Sequence, residues 1–151
     1  MVIGSIPVKG NVLQLRGLRR KSRWTDKDHV MLHACFQLLV DFIEQEKPQA
    51  TIDYRHDRRH RMQWCELQAL YRYWKLERPR MERAVDRALH TWSARYRHRW
   101  EPSLDGKTSR LVVISEDKAA KHRLRILEDR FEKQEDEMLR RLIAIRRHLW
   151  C

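Results

Sequence analysis

Two pairs of histidines carry the sharpest chemical spacing in this chain. His29 and His33 stand four residues apart, and so do His56 and His60. On a helix that spacing sets two imidazoles on one face, as zinc sites use it. Two such pairs on consecutive helices could meet around one ion. The first segment, however, reads His-Val-Met-Leu-His, without the Glu that follows the first His in a zinc-peptidase helix. The second pair sits inside Arg55-His-Asp-Arg-Arg-His-Arg61, where four guanidiniums would repel a dication. The expectation is surface or interfacial histidines, with no metal and no other cofactor.

Other catalytic patterns are weaker still. Asp41, Glu44 and Glu46 ride the polar side of one apolar segment, and the acids from Glu128 to Glu137 alternate with Lys and Arg as ordinary helical ion partners. General acid–base work needs a carboxylate pair held in a pocket with separated pKa values, and nothing singles one out. The Gly-Lys-Thr at Gly106 lacks the upstream glycine of a phosphate-binding loop. No nucleophile elbow is present. These absences make a non-enzyme the expectation.

Charge is more informative. The chain of 151 residues carries a formal net charge of +12, and clustered arginine gains from counterion release on phosphates. Residues 1–23 contain Lys9, Arg16, Arg19, Arg20, Lys21 and Arg23 and not one Asp or Glu. A second cluster, Arg55, Arg58, Arg59 and Arg61, precedes Trp64; Arg72, Lys75, Arg78 and Arg80 straddle Pro79; Arg95, Arg97 and Arg99 flank Tyr96 and Trp100. Arginine beside Trp and Tyr suits base stacking and phosphate contact. The expected partner is nucleic acid bound without sequence preference, or an acidic protein surface. Its expected contacts are Arg16, Arg19, Arg20, Lys21 and Arg23 of the arm, with Arg55, Arg58, Arg59 and Arg61. The segment around Lys75–Pro79 has the outline of a helix-turn-helix, yet no Gly marks the turn and both flanking segments are long and aromatic.

The elements that must position these residues are helices. Charged residues make up 36% of the chain and Gly and Pro only four each, which favours long helices over a turn-rich β fold. Leu124, Leu127, Phe131, Gln134, Met138, Leu142, Ile145 and Leu149 recur at steps of three and four, and no Gly or Pro interrupts the chain after Ser115. That is one long amphipathic helix, capped by Ser115 and running nearly to the terminus. Its stripe needs a cover, either the first helix of the same chain or a second copy of it, making a homo-oligomer through the C-terminal helix. The first helix runs from a Thr25 cap to about Glu46, ahead of Pro48. Ile52 and Tyr54 anchor the following connector. A second helix covers about Asp57–Leu76, and a third starts at Pro79 and ends near Trp100–Pro102. Leu111–Ile114 reads as a short strand pairing with an N-terminal piece. The fold expected is mainly α: a basic arm over 1–23, then a single bundle-like domain of four helices over 24–151, with room for a two- or three-stranded β patch.

Two segments resemble small proteins encoded by tailed bacteriophages: Met31-Leu-His-Ala-Cys-Phe-Gln-Leu-Leu-Val-Asp-Phe-Ile-Glu-Gln-Glu-Lys-Pro48, and the close Glu135-Asp-Glu-Met-Leu-Arg-Arg-Leu-Ile-Ala-Ile-Arg-Arg-His-Leu-Trp-Cys151. The resemblance carries no active site. It implies a phage protein acting in the host cytoplasm, or alternatively a minor structural protein of the virion whose basic arm touches packaged DNA or neighbouring subunits. The strongly basic N-terminus and the Arg-rich second helix depart from the family pattern. Cys35, Cys65 and Cys151 are scattered and odd in number, as suits a reducing compartment. No run is apolar enough to read as a membrane span or secretory signal.

Overall fold

The structure, a computed structural model, describes Leu13, Leu15, Arg16 and residues 26–104 and 106–149. It is mainly helical, with a small two-stranded antiparallel sheet. Contacts divide it into two compact units. The described residues up to Tyr71, together with those from Leu142 onward, make the first, and Arg72–Arg141 make the second.

In the first unit, α1 spans Lys27–Asp41 and follows Asp26; the Thr25 cap lies outside the described residues. Leu32, Phe36, Leu39 and Val40 are buried, and Phe42 opens a π-helical turn over Phe42–Glu46. Each such side chain removed from water contributes about 1.5–3 kcal/mol. The buried stripe is narrower than the run of apolar residues suggests, since Met31 and Leu38 stay exposed. The helix stops where expected. Lys47 turns into the left-handed region (φ 50°, ψ 59°), and Pro48 begins a short 3-10 turn. Tyr54 is buried and stacks on Trp64 at 4.7 Å between ring centroids. Asp57 then caps α2 (Arg58–Arg72), its Oδ1 accepting the His60 amide at 2.8 Å. Leu67 and Leu70 of α2 are fully buried. Tyr71 donates its hydroxyl to Glu44 at 2.7 Å, Leu142 is buried, and Gln63 Nε2 lies 3.2 Å from His148 Nε2.

The second unit corrects the expected boundaries in three places. No turn separates the second and third helices: a π-helical turn over Tyr73–Glu77 leads straight into α3 (Arg78–Ser93), with Arg78 N–H donating to Tyr73 five residues back. The wider turn accommodates the proline at position 79, which has no N–H and a ring that would crowd the carbonyl of a regular preceding turn. The helix-turn-helix outline therefore fails. Next, α3 ends at Ser93, and Arg97–Pro102 form a strand, β1, where helix was expected. Finally, the expected strand exists as β2 (Ser109–Ser115), but it pairs antiparallel with β1 and not with an N-terminal piece. Ser103 N–H donates to Thr108 O at 2.9 Å across the loop, and Gly106 takes φ +62°, a conformer cheap only for glycine.

The long helix, α4, spans Lys118–Ile145 and is followed by a 3-10 turn over Arg146–His148. Its cap is Asp117, whose Oδ1 accepts the Ala120 amide at 2.9 Å, and not Ser115, which ends β2. Along the stripe Leu124 and Leu142 are buried and Leu127, Phe131, Gln134, Met138, Ile145 and Leu149 are half-buried. Ile126 and Ile143 are exposed beside it. No helix among the described residues is long and apolar enough to cross a membrane.

Candidate functional site

The Arg55–Arg61 cluster is built by the entry to α2. Asp53 folds its carboxylate back to accept the Arg55 amide at 2.9 Å, a side-chain turn that brings the chain round into the helix. Arg61 then reaches back and donates Nη1 to the Arg55 carbonyl at 3.1 Å, clasping the connector to the helix. Arg55, Arg58, Arg59 and Arg61 are all exposed. By helix geometry Arg58 and Arg61 share the outward face with Met62 and Cys65, and Arg59 lies about a quarter-turn away. Met62, Cys65, Glu66 and Ala69 line a shallow open depression with Arg58 and Arg61.

Asp57, the acid inside this run, pairs with none of its arginines. Asp57 Oδ1 accepts the His60 amide at 2.8 Å, its Oδ2 lies 3.0 Å from His60 Nδ1, and this contact with His60, the amide bond first, holds its carboxyl below the ordinary aspartate value. Among the described residues no carboxylate pairs with Arg55, Arg58, Arg59 or Arg61. Several guanidiniums elsewhere are matched: Arg78 with Glu135 and Glu82, Arg95 with Asp117, and Arg99 and Arg110 with Glu101.

Of the basic arm, Arg16 pairs with Asp41 of α1, which also accepts from Gln37 Nε2 at 2.8 Å and Gln45 Nε2 at 3.0 Å. Arg19, Arg20, Lys21 and Arg23 lie outside the described residues. His29 and His33 lie one turn apart on α1 with ring centroids 4.5 Å apart, whereas His56 stands ahead of α2, its ring 6.0 Å from that of His60 and not on a shared helical face. Among the described residues no three metal-ligating side chains gather.

Two basic residues that the sequence grouped by proximity part company. Arg80 is exposed, whereas Arg78 is buried in the second unit, its guanidinium 4.8 Å from the Trp74 ring centre and 5.4 Å from that of Phe131. A signal was present: Trp74 stands one helical turn before Arg78, and Phe131 and Glu135 stand one turn apart on α4. The strand β1, and its pairing with the expected β2, is the feature sequence reasoning missed. It carries Trp100 with 65% of its surface in water, on the face opposite Arg99 and Arg110. No protein-family model, curated protein or solved structure matches the chain.

Proposed function

We propose that this chain is a phage-encoded, non-enzymatic protein that binds nucleic acid without reading its sequence, in the infected bacterial cell. The observation that carries the reading is the exposed set Arg55, Arg58, Arg59 and Arg61, with its local acid already engaged by His60. Four unmatched guanidiniums repel one another, and phosphates bound to them release condensed counterions, which is the main source of sequence-blind affinity. The net charge of +12 adds long-range attraction for any polyanion.

Retention of two unrelated duplexes of equal length tests the reading, titrated between about 50 and about 200 mM salt. Equal affinities that fall steeply with salt support it. No retention at the lower salt sinks it and leaves the charge to an acidic protein surface, such as that of a nucleic-acid-handling host protein.

A further inference from the structure

A second set of cations lies on α3, outside the Arg55–Arg61 cluster. Met81, Ala84, Val85, Ala88 and Trp92 are half-buried and turn one side of α3 inward. Arg80, Arg83 and Arg87 stand on the exposed side, at steps of three and four. At about 100° per residue they fall within about 60° of arc, and at about 1.5 Å rise they span about 10 Å of helix axis. The acids of this stretch are turned elsewhere or stand apart. Glu77 lies 3.4 Å from Arg72 and Glu82 lies 3.6 Å from Arg78. Asp86 is exposed beside the row and joins no ion pair among the described residues. Among the described residues no carboxylate pairs with Arg80, Arg83 or Arg87.

This spacing is unfavourable in the free helix. Side chains three and four apart are neighbours on a helix surface, where opposite charges stabilise and like charges repel. Three arginines at those steps load the helix with a repulsion that a bound polyanion relieves. The same face tells against other occupants. A protein partner is held mainly by apolar and aromatic anchors at the centre of its interface, and the row holds none. Leu89, the one large apolar residue of α3 exposed among the described residues, stands at least about 120° round the helix from every arginine of the row. Trp92 lies on the inward side, its indole N–H donating to Glu116 at 3.3 Å, so the row offers no ring to an unpaired base. What fits is a continuous backbone of negative charge, and a duplex carries it most densely, with one charge per about 1.7 Å of axis.

We infer that the outer face of α3 is a second duplex-binding surface, on which Arg80, Arg83 and Arg87 contact backbone phosphates and read no base. This rests on the nucleic-acid reading above and adds a contact that shares no side chain with Arg55–Arg61, each cluster belonging to its own compact unit. Losses at the two surfaces should therefore add.

The test titrates salt against the binding of a labelled duplex by the full-length protein. Arg83→Gln with Arg87→Gln removes two charges from the row and keeps good helix formers on an exposed face. Arg130→Gln with Arg140→Gln removes the same charge from exposed positions of α4, where Asp129, Asp136 and Glu137 stand among the cations. The expectation is that the α3 pair makes the log–log salt slope shallower by about 1.8, two contacts at about 0.9 each, while the α4 pair moves it by less than about half of one contact. On a single strand of the same length the α3 loss should be smaller, about 1.4. An unchanged duplex slope in a folded α3 variant would overturn this surface, give its cations to an acidic protein or to solvent, and leave the Arg55–Arg61 reading to its own substitutions. An equal change in the α4 variant would overturn it as well, because the loss would then follow net charge and not place. No duplex retained by the unaltered protein at about 50 mM salt overturns both readings together.

Discussion

Arg78 donates its Nε to Glu135 at 2.7 Å from a side chain that keeps only 6% of its surface in water. Trp74 and Phe131 flank the guanidinium, and Glu82, half exposed, stands 3.6 Å away. The pair joins the first turn of α3 to the middle of α4 within one unit. Burial first, and then the Glu135 charge, raise the pKa of the Tyr73 hydroxyl, while Arg78 works against them.

Breaking this pair from one side strands a buried charge. Glu135→Gln should destabilise the protein by about 3–5 kcal/mol, toward the lower end because Glu82 remains beside the guanidinium. The double change Arg78→Met with Glu135→Leu should recover most of that loss, since a well-packed apolar pair needs no desolvated charge. Urea unfolding of the three proteins decides it. A double variant no more stable than the single would show that the ion pair itself, and not the stranded charge, sets the cost.

How much of this was legible in the sequence differs from element to element. The stripe from Leu124 to Leu149 and the stop before Pro48 could be read directly, because helical periodicity and proline act locally. Leu111–Ile114 could be read as a strand from its β-branched run. Its partner could not. Arg97-His-Arg-Trp-Glu-Pro shows no apolar alternation, because both faces of that strand meet water and no core imposes a pattern. Pro79 misled for a related reason, since a π-helical turn that accommodates proline has no residue signature of its own. At the candidate site the local cluster of arginines was plain, but the engagement of Asp57 by His60 and the burial of Arg78 depend on geometry that spacing alone does not reveal.

Acid should weaken the second unit by a defined route. The Asp117 carboxyl is held below its ordinary 3.8 by the Ala120 amide first and then by Arg95, and the Glu116 carboxyl below 4.5, chiefly by Lys121. Both groups bind protons more readily in the unfolded chain. Their stabilisation is therefore complete above the ordinary carboxylate range and is lost as pH falls through it and below. Melting temperature followed from neutral pH down to about pH 3 should fall, and Asp117→Asn should show a shallower fall from a lower start. An identical acid limb in the variant would remove Asp117 from this role.

The two described cysteines should differ in reactivity. Cys65 is exposed on α2, whereas Cys35 is half-buried and burial pushes its thiol up. Thiolate, not thiol, attacks a disulfide reagent, so Cys65 should react in the faster phase near neutral pH. Cys65→Ser should remove one equivalent from that phase. A fast phase that survives the substitution intact would place Cys65 out of reach of solvent.

The most direct test of the account is the salt dependence of duplex binding before and after Arg58, Arg59 and Arg61 are all changed to Gln. These side chains are exposed and carry no ion pair among the described residues, and the one bond lost is that of Arg61 to the Arg55 carbonyl, so the triple variant should fold and melt close to the unaltered protein. The account predicts that the log–log salt slope becomes shallower by about 2.7, three contacts at about 0.9 each on duplex DNA. A triple variant that binds duplex with the same affinity and the same slope would contradict it, because the cluster at the start of α2 would then touch no phosphate.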